Sequence, residues 1–197
     1  MKTSYHKLIL LLLMAAGLAS CTEKPWREDE FKKVLDSIEG TYEWTSCTWE
    51  GPEVDMDNDG ISSKDFWTVF HKFDNCQQTG IAVQPARFDP SGMSMQSYYI
   101  ICLLPFQCYD RRDYIFPVVQ QFGTRYQIND GKIELEETLH EVQIDPYLDI
   151  LKMGKTRQIR QTGYAQLEIQ LDLAVYDYAT HQWAEGRIIH QFKRKHY

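Results

Sequence analysis

Residues 55 to 66 read Asp55-Met56-Asp57-Asn58-Asp59-Gly60-Ile61-Ser62-Ser63-Lys64-Asp65-Phe66. Oxygen donors stand at the first, third and fifth places and a turn-making glycine at the sixth. This is the spacing of an EF-hand-type calcium loop, where the seventh residue offers its carbonyl and the ninth often acts through water. Asp55, Asp57, Asp59, Ile61 and Ser63 fill those five donor positions in register. Calcium takes about six to eight hard oxygens, and the closing bidentate acid belongs at the twelfth place. Phe66 stands there, so Asp65 has to substitute, or an acid from elsewhere; Glu53 is a further donor nearby. The same residues also suit a solvated turn whose side chains bond their own backbone and cap the next helix. Both readings stand at the level of sequence. A cation here would staple a strand to a helix, since no general base is aimed at a metal-bound water.

Cysteine and histidine are the next chemistry-bearing types. Cys47, Cys76, Cys102 and Cys108 form an even set, which permits two disulfides in three connectivities. Nearness in sequence favours Cys47–Cys76 and Cys102–Cys108; buried free thiols are the alternative. The spacings are not those of a zinc site. The six histidines show no metal-binding spacing, and no nucleophile elbow, dinucleotide fingerprint or phosphate loop occurs. A non-enzymatic role is the expectation. Lys152–Arg160 carries four basic residues in nine, suited either to a solvated hairpin tip or to an anionic glycan or headgroup.

The fifth cysteine lies at the start of the chain. Met1–Lys7 is a basic leader, and Leu8–Leu18 an apolar run leading into Leu18-Ala19-Ser20-Cys21. That is a secretory signal (residues 1–20) ending in a lipobox, with Cys21 as the lipidated residue. The run is too short for a hydrocarbon core of about 30 Å, which takes roughly 20 residues. The pattern resembles bacterial lipoproteins and implies a covalent diacylglycerol on Cys21, with further acyl chains for stable anchoring. Thr22 follows the cysteine in place of the aspartate that retains enteric lipoproteins at the inner membrane, so the outer membrane is the expected address. Removing the signal leaves 177 residues and moves the net charge from −7 to −9, because Lys2 and Lys7 leave with it. That balance argues against a nucleic-acid partner.

Positioning these groups falls to a mainly β framework. Residues 21–37 read as tether and short helix, with Phe31, Val34, Leu35 and Ile38 at helical spacing. From residue 38 to 197 the signal is period two. Leu167, Ile169, Leu171, Leu173 and Val175 alternate with polar residues, and Trp183–Lys193 returns after a turn at Ala179–Gln182. Asn129-Asp130-Gly131 marks a hairpin between Tyr126–Ile128 and Ile133–Leu135. Thr41–Glu50, Gly80–Phe88, Ser94–Leu104 and Tyr114–Gln121 are further strands. Their even spacing predicts an antiparallel up-and-down meander closing into a barrel or sandwich. Ser62–Phe73 breaks the rhythm as a second helix after the first strand, with Ser62 or Ser63 as N-cap. The aromatics of the middle, among them Tyr98, Phe106, Tyr114 and Phe122, serve either as core or as the lining of a pocket.

Gly40-Thr41-Tyr42, the acidic loop, the short helix and the strand run together resemble the lipocalin-like lipoproteins of Bacteroidetes bacteria, loosely over residues 38–197 and specifically over 39–76. The resemblance implies a lipocalin-like barrel. It also implies an aromatic residue on the first strand beneath a cation from the last, here Tyr42 with Arg187 or Arg194. Two functions follow as expectations. One is a lipid-anchored module holding a small apolar or amphipathic ligand in the barrel. The other is a filled, structural barrel that docks an envelope partner, with calcium stabilising its loop.

Overall fold

The computed structural model describes residues 33, 36–83, 98–110, 114–129, 132–143, 148–150 and 154–195. Cys21, the signal and most of the expected first helix lie outside these residues. Residues 36–38 are helical, and Ile38 is fully buried. Among the described residues no helix is long and apolar enough to cross a membrane.

Ten strands follow among the described residues: β1 (Gly40–Glu50), β2 (Gly80–Val83), β3 (Tyr98–Asp110), β4 (Tyr114–Asn129), β5 (Lys132–Leu135), β6 (His140–Gln143), β7 (Leu148–Ile150), β8 (Thr156–Gly163), β9 (Gln166–Asp177) and β10 (Gln182–Arg194). Helix α1 (Phe66–His71) and a 3-10 turn (Asp74–Gln78) sit between β1 and β2. The sheet order is β5-β4-β3-β2-β1-β10-β9-β8, with β6 also on β4 and β7 on β3. Eight of these strands form the continuous antiparallel path of a nearly closed barrel, as the alternation of apolar residues predicts. β1 pairs with β10, so the first and last strands meet. Across the remaining seam the Leu139 amide donates to Thr156 Oγ1 at the start of β8, at 3.1 Å.

Register explains which side chains go inside. Tyr42, Ile81, Cys102 and Phe122 oppose one another across β1–β2–β3–β4. Cys47, His190, Ile169 and Ile159 do the same across β1–β10–β9–β8. All eight are 5% exposed or less. A register shift between Trp44 and Ser46 lets Trp44 and Cys47, three residues apart, both face inward. One extra residue in a strand reverses the alternation beyond it, and strict period two does not reveal it.

The helix is shorter than its pattern predicts, and its cap differs. Asp65, not Ser62 or Ser63, is the N-cap; its carboxylate accepts from the Thr68 amide at 3.2 Å and from Thr68 Oγ1 at 2.6 Å. An N-cap bond of this kind contributes about 1 kcal/mol. Ser63 is used upstream, in a bridge with Val54 that closes the acidic loop. α1 turns Phe66, Val69 and Phe70 inward. Phe66 stacks on Trp49 at 5.2 Å, and Trp44 packs against Trp67 at 4.6 Å and His71 at 5.3 Å. The helix is therefore pinned through aromatic rings to the inward face of β1.

Two expectations are corrected by this framework. The four cysteines are buried and none is in a disulfide, so the expected bridges are not made. Cys102 and Cys108 both lie on β3, where six residues at about 3.4 Å each separate them by about 20 Å, far beyond disulfide reach. Burial pushes the Cys76 and Cys102 thiols up to about 12 and raises Cys47 well above the usual range, so they are poor nucleophiles. The cation is the second correction. Arg194 lies opposite Tyr42 in register, yet its guanidinium sits over the ring of Tyr164 at 5.1 Å. Tyr42 instead donates its hydroxyl to the Ile38 carbonyl at 2.6 Å, and Arg187 pairs with Asp172 at 3.0 Å.

Candidate metal centre

The acidic loop hangs between β1 and α1 and is held at both ends. Val54 and Ser63 exchange backbone hydrogen bonds of 3.3 and 3.0 Å, which closes the loop at its neck. The Asp55 amide donates to Asp177 Oδ1 at 2.8 Å, and the Asp55 carbonyl accepts from the Tyr178 amide at 2.8 Å. Asp177 ends β9, so the turn between the last two strands carries the loop. Burial alone would raise the Asp177 carboxyl, but bonds from Thr180, Asp55 and Ala179 outweigh it and hold the group below its ordinary value.

Inside the loop the turn chemistry anticipated from sequence is present. Asp55 is 2% exposed, and its carboxylate accepts from the amides of Asp59 at 3.2 Å and Gly60 at 3.0 Å. Asp59 Oδ1 accepts from the Ile61 amide at 2.8 Å. Asn58 and Gly60 take positive φ of 59° and 83°, and the glycine at that sharp bend avoids the steric cost a Cβ would bring. These bonds aim the acids toward one another. Carboxylate oxygens of Asp55, Asp57 and Asp59 lie within 4.8 Å of each other, a group that could hold a metal ion.

Of the other sequence candidates, the acids Asp65 and Glu53 stand outside the convergent group. Asp65 spends its carboxylate on the helix cap, Phe66 is in the core at 0% exposure, and Ile61, whose carbonyl is the expected donor, is 64% exposed. Ser63 Oγ accepts from the Asp65 amide at 3.0 Å. Glu53 is exposed and stands outside the acidic group.

Lys72, just past the end of α1, was not visible in the motif. Its ammonium donates to Asp57 Oδ2 at 2.8 Å and bonds Asp59 Oδ2 as well. These two bonds hold Lys72 above its ordinary value, and the Lys72 bond leads the causes that lower Asp59. The Asp57 side chain is only 3% exposed, and its second oxygen, Oδ1, is buried with no hydrogen-bond partner. Three convergent carboxylates with one orphaned buried oxygen fit a hard, oxygen-seeking cation. The closing acid of the sequence motif is not among them.

A second polar cluster, inside the barrel, has no sequence signature. His190 is fully buried, and both of its ring nitrogens lack partners, as does Trp44 Nε1. The two rings are 5.9 Å apart. Burial drives the imidazole down to about 3. The basic segment carries less free charge than its composition suggests: residues 156–160 are strand, Arg160 pairs with Glu168 at 2.8 Å, and Arg157 with Asp172 at 3.6 Å. Lys152 and Met153 lie outside the described residues. No family model, curated protein or solved structure matches the chain.

Proposed function

We propose that this protein is an outer-membrane lipoprotein, anchored through diacylglycerol on Cys21, whose lipocalin-like barrel is a filled scaffold. In this reading it presents a calcium-stabilised loop to a partner in an envelope complex and carries out no reaction. The observation behind it is the state of the interior. Tyr42, Ile100, Leu104, Phe122, Ile169 and Phe192 project into the barrel at 0–1% exposure. Lipocalin-type barrels that hold ligands keep a cavity for them, and side chains this well covered support a packed lumen. Native mass spectrometry of protein taken from its own membrane tests the reading. The expected mass carries the lipid on Cys21 and no stoichiometric small molecule; a retained apolar ligand overturns the filled barrel.

One observation favours a second reading, in which the barrel binds a small amphipathic ligand. The unpartnered nitrogens of Trp44 and His190 would suit a polar head that both donates and accepts. Calcium at Asp55, Asp57 and Asp59 is common to both readings and has its own test. With calcium at about 100 times its dissociation constant, binding to the folded state alone contributes about 2.7 kcal/mol. For a chain of this size that is a fall of about 5–10 °C in melting temperature on adding EGTA. Superimposable melts with and without chelator would rule the ion out.

A further inference from the structure

We propose that Lys72 is the resident counter-ion of the acidic loop and that calcium enters by displacing its ammonium group. This rests on the calcium reading above and adds what regulates the site.

Lys72 belongs to another element, yet its Nζ bridges two of the three convergent acids. It occupies the place where a cation shared by Asp57 and Asp59 must sit. An ammonium and a divalent ion cannot share that place, because their like charges repel. The lysine is able to leave: its side chain is 41% exposed, and its charge is readily solvated once it swings out.

Asp57 supplies the reason for exchange. Its carboxylate is almost fully buried, and Lys72 reaches Oδ2 while Oδ1 keeps no partner. A buried charged oxygen without a partner carries an uncompensated desolvation cost. Calcium accepts carboxylates in mono- or bidentate fashion with flexible geometry, so it can engage both oxygens where the lysine engages one. Four side chains, Asp55, Asp57, Asp59 and Lys72, also leave two negative charges unbalanced while the lysine is in place. Exchange also has a structural consequence. Lys72 is the C-cap residue of α1, so its release unties the acidic loop from the end of the helix that covers the inward face of β1.

The test is calorimetric titration of the full-length protein with calcium chloride, alongside Lys72→Met and Lys72→Arg. Methionine keeps most of the apolar stem and removes the competing charge. Breaking two partly exposed ion pairs costs calcium about one decade of affinity, so Lys72→Met is expected to bind about tenfold more tightly than wild type. Lys72→Arg, which keeps the charge, is expected to stay near wild type. Equal affinity in wild type and Lys72→Met overturns the role of Lys72 and leaves the calcium reading standing. Binding by none of the three overturns both. Tighter binding by the arginine and methionine variants alike would mean that side-chain shape, not charge, limits entry, and also defeats the proposal.

Discussion

Replacing His190 with leucine is expected to raise the stability of the folded protein by about 1–3 kcal/mol at neutral pH, the cost of burying polar atoms without partners. The imidazole sits between Cys47 on β1 and Ile169 on β9, directly opposite each in register, with Phe192 and Trp44 beside it. Cys47, the titratable group facing it, has its thiol raised by burial and stays neutral. Leucine fills a similar volume and leaves no nitrogen unsatisfied.

The same substitution is expected to remove a specific part of the acid sensitivity. The folded-state value of His190 is about 3 against an ordinary 6.5. Between those values the unfolded chain binds the proton and the folded chain does not. Stability therefore falls as pH drops through 6.5 and keeps falling until about pH 3. Each unit contributes about 1.4 kcal/mol, or about 2 kcal/mol between pH 7 and pH 5. Urea unfolding of wild type and His190→Leu at the two pH values isolates this contribution, because the carboxylates titrate in both proteins. A gap that does not widen on acidification means the imidazole is hydrated or protonated in the fold. A loss of stability in the leucine variant at pH 7 means the nitrogens have a partner, and the ligand reading then gains.

How much of this could be seen in the sequence depends on the range of the interactions involved. The β9 strand was legible because five apolar residues alternate over Leu167–Val175 and one side of the strand is buried. The Asp-Gly hairpin held its register, with Asn129 opposite Lys132. The loop was legible because its bonds are local: Asp55 reaches four and five residues ahead, and Asp59 two. Lys72 was not, since it meets Asp57 only after α1 and the loop have folded back across fifteen residues. Nor was Asp177, which supports Asp55 from 122 residues away. The cysteine pairing failed for the opposite reason. Closeness in sequence suggested a bridge, and a shared extended strand holds Cys102 and Cys108 apart. His190 reads as one more residue on an alternating strand; that its nitrogens are stranded follows only from what surrounds it.

The largest single loss is expected for Phe66→Ala, at about 3–5 kcal/mol in urea unfolding. That is a large fraction of the roughly 5–15 kcal/mol that holds a typical domain folded. Phe66 is fully buried, stacked on Trp49 at 5.2 Å and set edge-on to Phe70 at 5.9 Å. Whether the vacated space collapses decides where in that range the cost falls, and Trp49 is poorly placed to fill it. Its indole Nε1 donates to the Pro52 carbonyl at 2.8 Å. The ring also lies so close to Gly51 and Gly186 that a Cβ on either would come within 2.5 Å of it. Held on those sides, Trp49 stays and a cavity remains. A cavity lined by Phe70 and Trp49 is apolar and should be dry, so it should take up benzene or xenon as engineered apolar cavities do. Stabilisation of Phe66→Ala, but not of wild type, by benzene is therefore the expected companion result. A cost below about 1 kcal/mol, or equal stabilisation of both proteins by benzene, would show that this part of the barrel is already loosely filled. The lumen could then admit a ligand without any mutation, and the filled-scaffold reading would give way to the second one.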